Sequence, residues 1–294
     1  MTYSEIWHRI ATSYDDGEAR AIARILIEEL FGLSYAEIVC GATEQLSADD
    51  TLRLDTAVRR IEQGEPLQHV LGYADFCGNR FCVNGSVLIP RPETEWLVDE
   101  GAKLMDGYIA SDETQHKAPH SPKRILDIGT GSGCIAISLK LRLGDAYVEA
   151  WDISEEALRT AQDNADALKA EVVFRKRDAL RADNTAAPWD LIVSNPPYIC
   201  DSERSAMDDN VLLHEPHTAL FVPDDDPLRF YRAIARYTLL TLNIGGSLLF
   251  ECNTRYAEAT GTMLRDMGFE EVTVSDDCFS LPRFVRGRKN SHNQ

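Results

Sequence analysis

At 294 residues the chain has room for one large domain or two modest ones. Its 30 Lys and Arg stand against 48 Asp and Glu, and the resulting net charge of −18 repels duplex phosphates, so nucleic acid is disfavoured as a direct partner unless a local basic patch coexists with the acidic total. No apolar run approaches the roughly 20 residues of a membrane span, the first residues lack the basic and apolar regions of a secretory leader, and seven scattered cysteines without a Cys-x-x-Cys pair point to free thiols in a reducing cytoplasm and to no metal site.

Residues 1–65 read as a helical module. Ile22, Ile25, Leu26, Leu30 and Phe31 recur three to four apart across Glu18–Phe31, the spacing of an amphipathic helix. Ser47-Ala48-Asp49-Asp50 resembles a capping box with Asp in place of Glu, ahead of Leu52, Leu54, Val58 and Ile61; Gly64 and Pro66 stop that helix. Trp7 and His8 are isolated and read as packing residues. With no catalytic constellation, the module is expected to recognise a substrate. Residues 66–86 read as a hairpin linker, with His69-Val70-Leu71 paired to Phe81-Cys82-Val83 through a turn at Gly78-Asn79. In Val87-Leu88-Ile89-Pro90-Arg91-Pro92-Glu93-Thr94-Glu95, a proline and acids open a helix over Glu93–Leu104, and two prolines hold Arg91 in an extended loop. Residues 106–122 read as an exposed loop.

From Lys123 strand and helix patterns alternate. Arg124–Ile128, Tyr147–Trp151, Val172–Arg175 and Asp190–Ser194 are strand-like, with helices near Cys134–Leu143 and Glu155–Leu168. Leu228–Asn243 reads as a helix, Gly245–Phe250 opens a fifth strand and Arg255–Met267 forms the last helix. Phe269–Val274 and Arg283–Arg286 are joined by too short a loop for a crossover helix and should pair antiparallel. The fold class is therefore α/β, a mostly parallel seven-stranded sheet covered by helices with an antiparallel last strand, over residues 87–294.

Ligands of such sheets bind beyond the carboxyl ends of the strands. The first strand ends in Asp127-Ile128-Gly129-Thr130-Gly131-Ser132-Gly133, whose glycines permit a tight turn and close approach to a ligand. Asp152 closes the next strand, about 20 residues beyond the glycines, where a carboxylate accepts from both ribose hydroxyls; the alternative is a helix cap, a role Ser154 can fill. The Gly-x-Gly-x-Gly spacing differs from the dinucleotide fingerprint. Asp127, two residues before the first glycine, suits an ammonium group, and S-adenosylmethionine carries an ammonium, a ribose and an adenine. Asp178 ends the third strand, placed either to accept from the adenine amino group or as a surface turn residue. Ser194-Asn195-Pro196-Pro197-Tyr198 ends the fourth. Its prolines stop the strand and fix an extended loop. An amide or aryl-amine nitrogen is a poor nucleophile because its lone pair is delocalised. The Asn195 side-chain oxygen and the Pro196 carbonyl can hold its hydrogens and turn the lone pair toward a methyl donor, with Tyr198 stacking on the planar group. Positioning of this sort supplies roughly 7–11 kcal/mol in favourable cases. No general base is evident, and none is demanded.

Pro66-Leu67-Gln68-His69-Val70-Leu71-Gly72, the Ile89-to-Glu95 element, Ile125-Leu126-Asp127 through Cys134-Ile135-Ala136, and Ile192-Val193-Ser194-Asn195-Pro196-Pro197-Tyr198-Ile199 together resemble the peptide chain release factor N5-glutamine methyltransferases. The Asn-Pro-Pro-Tyr element alone is shared with other amino-group methyltransferases; Ile-Pro-Arg-Pro-Glu-Thr-Glu is much more specific. The resemblance spans essentially the whole chain. It implies a Rossmann-like class I methyltransferase domain behind a helical domain and hairpin linker. By matching motif, Gly129, Thr130, Gly131, Ser132, Gly133 and Asp152 bind S-adenosylmethionine, which leaves as S-adenosylhomocysteine. Asn195, Pro196, Pro197 and Tyr198 bind the glutamine of the Gly-Gly-Gln loop of class I release factors, with Asn195 also close to the cofactor. The expected form is a monomer. Two stretches depart from the family pattern, Phe221-Val222-Pro223-Asp224-Asp225-Asp226-Pro227 and Glu251-Cys252-Asn253-Thr254-Arg255-Tyr256, and motif position puts both outside the core pocket. Two other readings compete. A DNA adenine-N6 methyltransferase can use the same pocket but must flip a base and grip phosphates, which the charge opposes; a binding module without turnover is opposed by the intact Asn195 and glycine loop.

Overall fold

The computed structural model describes residues 1–112, 122–182 and 188–290. The chain forms two compact units. One joins Met1–Tyr73 to a later stretch, Met207–Glu215; the other holds Ala74–Ala206 and the chain from Pro216 onward.

In the first unit, helices α1 (Tyr3–Ile10), α2 (Asp16–Phe31), α3 (Tyr35–Val39), α4 (Ala48–Glu62) and α5 (Leu67–Leu71) enclose their own core. Ile22 and Leu26 of α2 meet Ile6, Ile10, Leu54, Val58 and Ile61 there. Ser47 caps α4, accepting from the Asp50 N–H at 3.1 Å and donating to the Asp50 carboxylate at 2.7 Å. The acid thus answers the serine hydroxyl rather than the cap backbone, and the box is half formed. His69-Val70-Leu71, predicted as a strand, lies in the helix Leu67–Leu71, closed by Gly72 in the left-handed region at φ 83°. Five residues are too few to show a helical period in the sequence.

The hairpin starts later than predicted, with β1 (Tyr73–Phe76) beside β2 (Asn79–Cys82). Its turn is Cys77-Gly78, at φ 48° and 73°, as a two-residue hairpin turn requires. A 3₁₀ turn at Pro92–Thr94 leads into α6 (Glu95–Asp112), which continues past the predicted Leu104. The rest of the predicted loop, residues 113–121, lies outside the described residues.

Next come β3 (Arg124–Ile128), α7 (Cys134–Arg142), β4 (Tyr147–Asp152), α8 (Glu155–Leu168), β5 (Val172–Lys176) and β6 (Trp189–Ser194). A two-rung parallel ladder joins β7 (Ile199–Cys200) to β8 (Phe221–Val222). Between them lie α9 (Asp209–His214), which belongs to the first unit, and α10 (His217–Leu220). The chain ends with α11 (Arg229–Thr241), β9 (Leu242–Glu251), α12 (Ala257–Asp266), β10 (Glu270–Asp276) and β11 (Pro282–Arg288).

The seven-stranded sheet has the order β10-β11-β9-β6-β3-β4-β5. β9, β6, β3, β4 and β5 run parallel, and β11 lies antiparallel to both β9 and β10, as predicted. Successive strand residues alternate between two cores. Ile125, Val148, Leu191, Val193 and Leu249 pack under α6, α7 and α8. Leu126, Ile192, Leu248 and Phe250 pack under α11 and α12. Burial on both faces explains why these strands read as unbroken apolar runs. The order winds outward in both directions from β3 and β6, so the topological switch point falls between them.

Candidate active site

The glycine loop leaves β3 and the Asn195 loop leaves β6, and Ile128 pairs with Ser194 in the sheet register. The two loops therefore emerge side by side at the switch point. The Ser194 hydroxyl donates to the Ile128 carbonyl at 2.6 Å and ties the strand ends together. A Cβ at Gly129 would come 3.9 Å from the Asn195 carbonyl.

The glycine loop is pinned to β4. Gly129 and Thr130 N–H groups donate to the Trp151 carbonyl at 2.8 and 2.9 Å, and the Gly131 N–H donates to Asp152 Oδ2 at 2.9 Å. Asp152 Oδ1 accepts from the Ser154 N–H, while Ser154 itself caps α8 by accepting from the Ala157 N–H. Burial raises the Asp152 pKa above the usual carboxylate range. Asp127 is fully buried. It accepts from the Thr130 hydroxyl at 2.7 Å through Oδ2, while Oδ1 has no hydrogen-bond partner. Burial pushes its pKa up to about 7.

Gly129, Thr130, Gly131, Ser132, Asp152, Asp178, Asn195, Pro196 and Pro197 line one cavity of about 360 Å³, the size of a small-molecule site. Asp178 also caps a short 3₁₀ turn, accepting from the Leu180 N–H at 2.9 Å. Gly133 lies behind the wall. At φ 82°, a Cβ there would meet Ile137 Cδ1 at 2.9 Å and Ala161 Cβ at 3.1 Å, so this glycine lets α7 and α8 close on each other.

Tyr198 is not part of the lining. Its N–H donates to the Leu220 carbonyl at 3.2 Å, its ring packs on the core under α11 and α12, and its hydroxyl faces Glu251 at 3.4 Å. Burial and that carboxylate raise its pKa. The rings that do line the cavity are Phe221 and Phe230. Phe221 opens one of the two stretches predicted to lie outside the pocket; the β7–β8 ladder carries it back to the loop that follows Asn195. The second such stretch begins at Glu251, buried at the end of β9, where the register sets it one step beyond the Ser194–Phe250 pair. Glu251 accepts from the Thr94 hydroxyl at 2.7 Å, and the Thr94 oxygen lies 3.5 Å from Asn195 Nδ2. Arg91 and Thr94, from the proline-framed element, line the cavity as well. Asn164 was also not anticipated: its amide group donates to the Ser132 and Cys82 carbonyls and its oxygen accepts from the Cys82 N–H, tying the hairpin to the glycine loop.

These donors and acceptors suit a ligand with a ribose and an amino-bearing ring. Asp152 offers lone pairs toward hydroxyls and Asp178 stands beside the apolar Ala179 and Leu180, whereas Asp127, expected to meet an ammonium, is fully buried and does not line the cavity. A Cβ at Gly131 would meet nothing within 4 Å, so the loop is open on the ligand side. Among the described residues no group of three or more His, Cys, Asp or Glu is placed to hold a metal ion, and no helix is long and apolar enough to cross a membrane. All seven cysteines are unbridged.

Known proteins match this arrangement. The model of the methyltransferase small domain matches residues 97–220 and that of the PrmC N-terminal domain matches residues 8–72. A release factor glutamine methyltransferase of Bacteroides thetaiotaomicron is 42% identical over 277 residues, 94% of this chain and 95% of its own. One from Flavobacterium psychrophilum is 35% identical over 281 residues, 94% of each. Among solved structures, the hMettl16 catalytic domain in complex with MAT2A 3'UTR hairpin 6 superposes with a TM-score of 0.53 at 18% identity, covering 84% of both chains, a likeness of fold alone. The relatives run almost end to end with this sequence, and the chain belongs to the release factor glutamine methyltransferase family.

Proposed function

We propose that the protein methylates the side-chain amide nitrogen of the glutamine in the Gly-Gly-Gln loop of class I release factors, with S-adenosylmethionine as donor. The observation that carries this reading is the shared cavity: the Asn195 amide and the glycine loop open into one space at the switch point. When bound, S-adenosylmethionine supplies a methyl group on a positively charged sulfur. Gly129 to Ser132 and Asp152 would hold it, with Asp178 facing its adenine, while Asp127 braces the glycine loop from beneath through Thr130. Asn195 Oδ1 and the Pro196 carbonyl accept the two hydrogens of the substrate amide and orient its nitrogen lone pair. The same oxygens stabilise the positive charge that grows on nitrogen, a form of electrostatic preorganisation; the N–CH3 bond would form as the S–CH3 bond breaks, with S-adenosylhomocysteine leaving and one amide proton passing to water. Phe221 and Phe230 supply apolar walls. The helical unit serves as the recognition module, and the protein acts as a cytoplasmic monomer, where unbridged cysteines persist.

The test offers methyl-labelled S-adenosylmethionine with a release factor, with the same factor carrying Ala in place of the loop glutamine, and with duplex DNA. Label is expected in the first alone. Label in the Ala-substituted factor would mean a different acceptor, and label in DNA would favour the adenine-N6 reading.

A further inference from the structure

Behind the Asn195 loop lies a small buried network that spans three separate parts of the chain. Thr94 comes from the proline-framed element, Glu251 from the end of β9, and both are buried. Thr94 Oγ1 donates to Glu251 Oε2 at 2.7 Å. The other carboxylate oxygen, Oε1, receives the Tyr198 hydroxyl at 3.4 Å. Arg283 is the nearby cation and Glu93 the nearby anion that act on Glu251. One carboxylate therefore reaches both ends of the Asn195–Tyr198 loop, through Thr94 at one end and directly at the other.

The direction of these bonds has a consequence for Asn195. A hydroxyl has one proton to donate. Thr94 commits its proton to a carboxylate, which can only accept. What Thr94 offers toward Asn195, 3.5 Å away, is then a lone pair. An acceptor there favours the NH2 of the Asn195 amide and disfavours its oxygen. The amide is thereby turned so that Oδ1 points away from Thr94, free for the substrate. With the amide reversed, an NH2 would face the NH2 of the substrate and neither could accept. The separation is long for a hydrogen bond, but catalytic hydrogen bonds are often long before substrate binds and tighten in the complex.

We propose that Thr94 and Glu251 are positioning residues for methyl transfer, which set the orientation of the Asn195 side chain by fixing the direction of the Glu251–Thr94–Asn195 hydrogen bonds. Thr94 lines the cavity beside Asn195 and Glu251 lies behind it, and both act here through Asn195. The inference rests on the reading of Asn195 as the acceptor that holds the substrate amide.

The experiment compares the full-length wild type with Thr94→Val and Thr94→Ser on a release factor substrate, measuring kcat, KM and the dissociation constant of S-adenosylmethionine. Valine keeps the shape of threonine but offers no lone pair. Thr94→Val is expected to lower kcat by about tenfold or more, the scale of a lost transition-state orientation, with cofactor affinity within about twofold. Thr94→Ser, which keeps the hydroxyl, is expected to recover kcat to within about threefold of wild type. Should the valine variant not fold, Thr94→Ala serves in the same comparison. Two outcomes overturn the proposal: a Thr94→Val kcat equal to wild type, or a serine variant as impaired as the valine variant, which would assign Thr94 to packing. If instead the wild type fails to label the release factor, the functional reading fails first. If the wild type labels it and Thr94→Val does so at an unchanged rate, only the positioning inference falls.

Discussion

Asn195 and Asp127 sit within a few residues of paired strand ends yet meet opposite demands. Asn195 must stay available, and the structure leaves it at the cavity wall with its strand bonded beneath it. Replacing it with Ala is expected to abolish transfer while leaving S-adenosylmethionine affinity within about tenfold, or about 1.4 kcal/mol, if its oxygen serves the acceptor as proposed. Equilibrium binding of the cofactor to the variant checks this; full loss of binding would mean that Asn195 mainly seats the cofactor. Asp127 is instead sealed in, with a pKa pushed to about 7 from 3.8. Its folded-state pKa lies above the unfolded one, so its contribution to stability is complete below about pH 4 and is lost as pH rises through about 7. Each tenfold in proton affinity is about 1.4 kcal/mol, so between pH 5 and pH 8 the wild type should lose about 2–3 kcal/mol more stability than Asp127→Asn, which still accepts from Thr130. Denaturant titrations at the two pH values measure the difference; equal losses would contradict it. Asn195, Asp152 and Asp178 were legible in the sequence because the first two directly follow strand-like runs and the third lies just beyond one. Thr94, Glu251 and Phe221 were not. Their places depend on β9 lying beside β6 and on β8 pairing with β7, registers that no local pattern encodes.

Among the elements, the core strands were the most readable, because burial on both faces leaves a continuous apolar signature. Short elements escaped. The five residues of α5 carry too little periodicity to separate helix from strand, and only the left-handed Gly72 behind them records where the chain turns. The contact between α7 and α8 shows the same dependence on one residue. Gly133 combines φ 82° with Ile137 Cδ1 only 2.9 Å from where a Cβ would stand. Gly133→Ala is expected to cost about 2–4 kcal/mol, from left-handed strain and from overpacking against Ile137 and Ala161. Denaturant unfolding followed by circular dichroism tests this; a loss below about 1 kcal/mol would show that the helices part without strain.

For the molecule as a whole, the charge of −18 narrowed the class of partner but said nothing of the division into units. The return of Met207–Glu215 to the first unit was invisible in the sequence, since nothing local marks a stretch that leaves one core for another. Asn210 interacts with Tyr14, His214 with Glu65, and Glu215 with His69. A chain that begins at Ala74 lacks those partners. Proteolysis within Met207–Glu215 is expected to speed up by roughly tenfold or more in such a truncation, as for a segment whose local stability has been removed. Unchanged cleavage would show that the stretch holds its form without the first unit.

The same excursion sets a rule for inheritance. A helical module that ended at Tyr73 could be exchanged between relatives by a single crossover in the gene. Here the module has a second piece, encoded far downstream between the Asn195 loop and the cavity wall that carries Phe221. A chimera that swaps the amino-terminal part alone mismatches that piece. Recombination that respects the fold must carry both fragments together, which ties the drift of the helical module to a stretch of sequence inside the catalytic half.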